Sequence, residues 1–175
     1  MMIFRKTVPF MGGPVLLSGS TFSNIQNLLL SGYACKELET QLGEKNLYFP
    51  ASWMVVGNTN QITPLSYQEN QNKIILVISG SAYVICNKIK KKDHHNDSVI
   101  FNMRAGSSEV LWIPEIFAQG FYFLSQNTVI LLAATSLRNN SEQALDPLDP
   151  TYNIDLSALT GLGKANLKTN KAVEI

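Results

Sequence analysis

The sequence predicts a mainly β protein, folded as an antiparallel sandwich or barrel with a few short helices at its periphery. Eight short runs are apolar or alternate between apolar and polar residues, and turn residues separate them. The connections are too short for the helical crossovers that parallel strands require. The predicted strands are residues 15–17, 47–56, 73–79, 82–89, 98–103, 109–113, 120–124 and 129–135.

Turns and one helix complete the predicted secondary structure. Ser79-Gly80-Ser81 is typical of a tight reversal between two strands, and Arg104-Ala105-Gly106 is a weaker turn signal. A helix is predicted over residues 33–43, because apolar residues recur at positions 34, 38 and 42 and Gly43 can end it. A short helix or coil is expected near 155–160, before a Lys-rich tail.

Length and composition fit one domain with its own core. The chain has 175 residues, of which 45% are hydrophobic and 15% charged. We expect an N-terminal strand and helix segment over 1–45, a barrel over 46–136 and a C-terminal segment over 137–175. A formal net charge of +1 offers no basic surface for nucleic acid.

The chain is expected to be soluble and cytoplasmic, without membrane insertion. Pro and Gly interrupt the apolar N-terminus, which therefore lacks the core of a signal peptide. The longest apolar run, 129–134, is far shorter than the ~20 residues of a membrane-spanning helix. Cys35 and Cys86 do not form a CxxC pair, and we expect buried or unreactive thiols in a reducing cytosol.

The histidines limit the chemistry that the chain can perform. The only two, His94 and His95, lie in the Lys-rich run 88–97, which is typical of a solvated hairpin loop. A mobile pair of this kind could bind adventitious metal, but a functional site needs converging ligands and fixed outer contacts. Neither a His-dependent nucleophile nor a His-rich metal centre is expected. The segment around Gly12 lacks the strand–turn–helix context of a phosphate-binding loop.

Lys73 and Tyr83 are the first candidates for pocket chemistry. Lys73 begins an apolar strand, so its side chain either reaches solvent at the strand end or points into the barrel as an anion or carbonyl contact. Tyr83 alternates with an apolar residue and is either a core aromatic residue or a proton donor.

Several segments resemble the dTDP-4-dehydrorhamnose 3,5-epimerases. The N-terminal MMIFRKTVP and the stretch WIPEIFAQGFYFLS at 112–125 carry most of the resemblance. Partial matches occur in order at Gly57 and Gln61, at 72–74 with Gly80, and at 149–156. The resemblance implies a cupin-type double-sheet jelly-roll barrel without a cofactor, and a homodimer that exchanges N-terminal strands.

The family's reaction removes protons at C3 and C5 of a 4-keto sugar nucleotide. It uses a His base, a Tyr acid and a Lys near the keto oxygen, where a cation stabilises the developing oxyanion. By this resemblance the base position holds Thr59, the acid position holds Leu132, and a second family histidine is replaced by Gln119. Neither threonine nor leucine can perform the proton transfer, so we expect negligible 3,5-epimerase activity.

The binding positions implied by the resemblance are also altered. The two arginines that would hold the diphosphate fall on Gln26 and Val56, which cannot make bidentate cationic contacts. Lys73 is retained and is the only candidate for a remaining catalytic group, and Asp149 is a possible remnant of the base-orienting aspartate. The predicted ligand-binding residues are Thr59, Gln61, Lys73, Tyr83 and Gln119.

Two functions fit these observations. One is a divergent binder or enzyme for a sugar nucleotide or related carbohydrate, in surface-polysaccharide (O-antigen) biosynthesis. The alternative is a non-catalytic cupin scaffold or partner-binding protein in the same pathway, which would keep fold residues such as Trp112 and Gly80 and lose chemical ones. Trp112 itself is expected to be a buried structural indole at a strand end.

Overall fold

Two antiparallel sheets form the protein, as the sequence predicted. The structure is a computed structural model that describes residues 5–7, 12–18, 29–32, 36–89, 98–152, 154, 156 and 173–174. The prediction of a mainly β, double-sheet jelly-roll fold is confirmed. The strands are β1 Arg5–Thr7, β2 Val15–Ser18, β3 Ala51–Gly57, β4 Leu65–Tyr67, β5 Lys73–Ser79, β6 Ser81–Lys88, β7 Ser98–Arg104, β8 Glu109–Ile113, β9 Phe117–Phe123, β10 Thr128–Ala134, β11 Gln143–Leu145 and β12 Val173–Glu174.

The strand order shows how the two sheets are built. The larger sheet has seven strands in the order β1-β2-β8-β5-β10-β3-β12, and the smaller has five in the order β11-β4-β9-β6-β7. Neighbours in both sheets are antiparallel. Within this single chain β1 pairs with β2, so exchange of N-terminal strands between two chains stays a prediction.

The interior of the barrel is formed by alternate residues of strands from both sheets. Its core is apolar and includes Ile75, Val77, Val84, Phe101, Leu111, Phe121, Phe123, Ile130 and Leu132. On β5 the same alternation places Lys73 on the interior face, two residues before Ile75. One polar side chain therefore enters the barrel at the end of the larger sheet where β5 begins.

The outer face of the larger sheet is covered by the helix and the segments around it. Helix α1, Lys36–Leu42, lies within the predicted helix, and its Leu38 is completely buried. Leu38 belongs to a second core cluster with Leu29, Phe49, Ile74 and Trp112. Trp112 is 7% exposed, which confirms its interpretation as a buried structural indole.

The predicted hairpin at Gly80 is confirmed. Gly80 has a φ of 75°, a conformation that L side chains rarely adopt. A Cβ there would also lie 2.6 Å from the hydroxyl oxygen of Ser125. Glycine is therefore the one residue that fits this turn, which joins β5 to β6 across the two sheets.

Strand boundaries differ from the prediction where a strand contains polar or small residues. Strand β9 begins at Phe117, three residues before the predicted start, because Ala118 and Gln119 pair with β6. Strands β1, β4, β11 and β12 were missed, since they are only two or three residues long. Of the region near 155–160, only residue 156 is among the described residues. The histidines at 94 and 95 lie outside the described residues, and the flanking strands β6 and β7 pair with each other.

Candidate functional site

A cavity of about 350 Å³ opens between the two sheets at the end of the barrel where Lys73 enters. It lies within the range of volumes that small-molecule sites occupy. Its walls come from β3, β4, β9, β10 and β11 and from the segments that precede β4 and β11. The lining residues are Trp53, Val55, Thr63, Pro64, Ser66, Gln119, Phe121, Leu132, Arg138, Glu142, Gln143 and Ala144.

A lysine–amide hydrogen bond lies at the inner wall of this cavity. The Nζ of Lys73 donates to Oε1 of Gln119 over 2.8 Å, and each residue is 2% exposed. Because β5 and β9 belong to different sheets, this bond crosses the barrel interior. Of the two alternatives for Lys73, the structure shows the one that points into the barrel. Its partner Gln119 is the only polar residue of β9 that lines the cavity.

Cys86 lies beside this pair. It faces Gln119 in the β6–β9 ladder and is completely buried. Burial raises the pKa of the Cys86 thiol, and the charge of Lys73 opposes this shift without cancelling it. The thiol therefore keeps its proton at neutral pH and is a poor nucleophile. The expectation of a buried thiol is confirmed for Cys86, whereas Cys35 lies outside the described residues.

An arginine and a glutamate form the mouth of the cavity. The guanidinium of Arg138 lies 5.2 Å from the centre of the Trp53 ring, in cation–π geometry. Its Nε and Nη2 each lie 2.7 Å from Oε2 of Glu142. The other carboxylate oxygen of Glu142 accepts a hydrogen bond from the hydroxyl of Ser66. Arg138 and Glu142 are the only titratable side chains among the described residues that line the cavity.

Buried amides hold the loop that carries this pair. Gln68 donates from Nε2 to the carbonyl of Leu137 and accepts from the N–H of Asn139. Gln71 donates to the carbonyl of Ser136. Both glutamines are at most 3% exposed, and their bonds fix the backbone on either side of Arg138. The position of the guanidinium is thus set by the loop as well as by its own contacts.

The predicted site residues divide into those that line the cavity and those that do not. Gln119 and Leu132 line it, and Lys73 lies behind Gln119. Thr59 and Gln61 lie in the turn after β3, where Oε1 of Gln61 accepts the backbone N–H of Asn58. Tyr83 stacks on Tyr122 at a centroid distance of 6.4 Å, on the other face of the smaller sheet. A role in binding for Thr59, Gln61 and Tyr83 stays a prediction.

Two further positions take local structural roles. Val56 alternates with the inward-facing Val55, so it points to the opposite face of its sheet. Asp149 accepts the backbone N–H of Thr151 over 2.9 Å and caps a 3-10 turn at Pro150–Tyr152. Hydrogen bonds from the backbone and side chain of Thr151 lower the pKa of Asp149. Gln26 lies outside the described residues.

The residues that sequence reasoning missed are those of the cavity mouth and of the segment after β3. Trp53 lies far from Arg138 and Glu142 in the sequence, and the four-residue spacing between Arg138 and Glu142 is a weak signal outside a helix. Thr63 and Ser66 lie shortly after Thr59, which was predicted to bind the ligand. Thr63 accepts the N–H of Phe121 through its hydroxyl, and Ser66 pairs with Gln119 across β4 and β9.

Among the residues that the structure describes, no group of three or more His, Cys, Asp or Glu side chains is placed to hold a metal ion. In the same part of the chain, no helix has the length and apolar character needed to cross a membrane.

Comparisons with known proteins agree with the geometry of the fold. The family model of dTDP-4-dehydrorhamnose 3,5-epimerase matches residues 13–171. A comparison with curated proteins finds no match.

Solved structures with a similar fold include three epimerases. One, from Legionella pneumophila in complex with dTDP-4-keto-L-rhamnose, is 20% identical with a TM-score of 0.68, covering 89% of this chain and 83% of its own. One from Elizabethkingia anophelis is 15% identical with a TM-score of 0.70, covering 97% and 92%. A third, from Bacillus anthracis with TDP and PPi bound, is 16% identical with a TM-score of 0.70, covering 87% and 90%.

Proposed function

Because the chain belongs to the dTDP-4-dehydrorhamnose 3,5-epimerase family, we propose that it binds a nucleotide sugar in the barrel cavity without catalysing 3,5-epimerisation. The observation that carries this proposal is the inner wall, where Lys73 bonds Gln119 close to Leu132. A cation there can contact a carbonyl oxygen of the sugar. The amide of Gln119 can donate and accept hydrogen bonds, and the isobutyl group of Leu132 can only fill apolar space, so neither side chain takes up a proton.

The missing groups remove the mechanism of the family's reaction. Proton abstraction beside a keto group needs a base within hydrogen-bond reach, and each general acid or base contributes about 10²–10⁴-fold. Glu142 is the only carboxylate among the described lining residues, and both of its oxygens already accept hydrogen bonds, from Arg138 and Ser66. It lies at the mouth with Arg138, whereas Lys73 lies at the inner wall. This separation supports binding rather than epimerisation.

Several features of the cavity support a sugar-containing ligand. Trp53 offers an aromatic face, and Gln119 and Ser66 offer groups that can bond hydroxyls. Apolar walls with a few convergent polar groups are typical of small-molecule sites. Related structures contain dTDP-4-keto-L-rhamnose or TDP with PPi, which makes a dTDP-sugar the first ligand to test.

The cellular setting that we propose follows from the family alone. The protein would act in nucleotide-sugar metabolism for surface polysaccharide such as O-antigen, in the cytoplasm and as a homodimer. Light scattering coupled to size exclusion tests the dimer, for which twice the 19.4 kDa chain mass is expected. A monomeric mass across micromolar concentrations would contradict that part of the proposal.

Ligand binding is tested by thermal unfolding with a panel of nucleotide sugars. At a ligand concentration of 100 Kd, binding stabilises the native state by about 2.7 kcal/mol. For a domain of this size that corresponds to a rise in Tm of about 5–11 °C. A shift with dTDP-sugars that GDP-sugars do not produce supports the proposal. No shift with any nucleotide sugar would refute binding and favour a non-catalytic scaffold.

Loss of catalysis is tested separately in heavy water. The protein is incubated with dTDP-4-keto-6-deoxyglucose in D₂O, beside an active 3,5-epimerase as the positive control. We expect deuterium at C3 and C5 with the control enzyme and only the background rate with this protein. Enzymatic exchange at either carbon would refute the proposed loss of activity.

A further inference from the structure

We infer that Arg138 is the anion-binding residue of the cavity. Without a ligand its guanidinium is bound by the carboxylate of Glu142, and a ligand phosphate takes the place of that carboxylate. This inference rests on the proposed function, because it assigns the charged part of the same ligand. The family resemblance implies diphosphate-binding arginines at two positions. Val56 holds one of these positions and points away from the cavity, so a cation has to come from elsewhere in the fold.

Arg138 is the only cationic side chain among the described residues that line the cavity. It lies at the mouth, where its side chain is 38% exposed and an anion can approach from solvent. A ligand whose sugar enters the barrel would leave its phosphates at this mouth. A guanidinium suits phosphate, because its planar fork of donors matches two oxygens at once.

The surroundings of Arg138 hold it in place before any ligand arrives. Buried Gln68 and Gln71 fix the loop backbone on both sides of it, and the Trp53 ring supports the plane of the guanidinium. A ligand would therefore pay little entropy to order this residue, which is the benefit of a preorganised site. A merely structural arginine would not need to line the cavity.

Glu142 makes the inference testable in two directions. Its Oε2 accepts hydrogen bonds from both Nε and Nη2 of Arg138. These two nitrogens form the edge of the guanidinium that a phosphate would use. A phosphate must compete with this carboxylate and is repelled by it. Removing the negative charge at 142 should therefore tighten binding of an anionic ligand, whereas removing the positive charge at 138 should weaken it.

The experiment is isothermal titration calorimetry with dTDP and with uncharged thymidine. We expect Arg138→Gln to weaken dTDP binding by about tenfold to a hundredfold, as the loss of a charged hydrogen bond implies. Thymidine affinity should change by less than about twofold, since it carries no phosphate. Glu142→Gln should tighten dTDP binding by about twofold to fivefold, the usual strength of a partly exposed ion pair.

Two further variants separate local from general effects. Arg104→Gln removes the same charge from an exposed position next to the Gly80 turn, at the other end of β5, and should leave dTDP binding unchanged. Arg138→Lys keeps the charge but not the fork and should lie between wild type and Arg138→Gln. Circular dichroism and Tm confirm that each variant is folded.

The possible outcomes distinguish this inference from the proposed function. Equal dTDP affinity in Arg138→Gln and Arg104→Gln would overturn the inference alone. An equal loss of thymidine and dTDP affinity would also overturn it, because that result describes a damaged cavity. Weaker dTDP binding in Glu142→Gln would contradict the exchange of partners. No dTDP binding by the wild-type protein would overturn the proposed function, and the inference with it.

Discussion

The hydrogen bond between Lys73 and Gln119 should couple the two sheets energetically. Its 2.8 Å length and the burial of both residues make it a polar contact inside an otherwise apolar barrel. We consider Lys73→Met and Gln119→Leu, singly and together. Each replacement has a volume close to that of the original side chain, so the variants remove polarity with little change in packing.

The magnitudes follow from which group remains in each variant. Gln119→Leu takes a neutral amide acceptor from a buried cation and should cost about 1.5–3 kcal/mol, as for other hydrogen bonds to charged groups. Lys73→Met leaves a neutral amide oxygen behind and should cost about 1–3 kcal/mol. The double variant replaces both partners with apolar groups and should lose less than the sum, by a coupling free energy of about 1.5–3 kcal/mol.

Urea unfolding measures these free energies, with circular dichroism and tryptophan fluorescence as probes of one transition. The control is Gln68→Leu combined with Lys73→Met. Gln68 bonds the loop at Leu137 and Asn139, so its loss should be additive with that of Lys73. A coupling below about 0.5 kcal/mol between Lys73 and Gln119 would refute an energetically important bond.

Three further predictions concern the core and one surface turn. Gly57→Ala should destabilise the protein by about 1–3 kcal/mol in urea, because the added Cβ would overlap the buried ring of Phe123; unchanged stability would contradict this close approach. Burial raises the pKa of Cys86, so the unfolded thiol ionises first near pH 9.0. Wild-type stability should then fall more steeply above that pH than that of Cys86→Ala, by about 1.4 kcal/mol per pH unit, and equal slopes would contradict the shift. The lowered pKa of Asp149 stabilises the fold above its ordinary pKa of 3.8, so Asp149→Ala should have a lower Tm at pH 7 and this difference should vanish as acid protonates the carboxylate.

The fold could be predicted because its elements carry strong local signals. The apolar strands β5, β6 and β10 are long and β-branched, and the Gly80 turn between two of them requires glycine. Helix α1 was evident from a three-residue apolar stripe. The short edge strands β4 and β11 have no such pattern. They pair with each other although they lie far apart in the sequence, and a short stretch of sequence carries no signal of such a pairing.

The candidate site was predictable only at positions inside long strands. Lys73, Gln119 and Leu132 lie on β5, β9 and β10, where a family pattern can be matched in register. The mouth residues depend instead on the path of the 136–142 loop, which buried amides of Gln68 and Gln71 determine. Glutamines in a polar segment look like surface residues, and only their burial reveals that they organise the loop.

The distribution of charge in the cavity bears on what such a barrel can still do. An epimerisation site needs a proton acceptor and an electrophilic group to meet at the same carbon atoms. Here the cation lies at the inner wall with an amide, and the carboxylate lies at the mouth, bound to an arginine. Restoring the second family histidine at Gln119 would place it against Lys73 and would supply neither the base expected at Thr59 nor a proton donor at Leu132. Under the proposed loss of activity, we expect that the family's reaction returns only with at least two coordinated substitutions, and that Gln119→His by itself leaves deuterium exchange at the background rate.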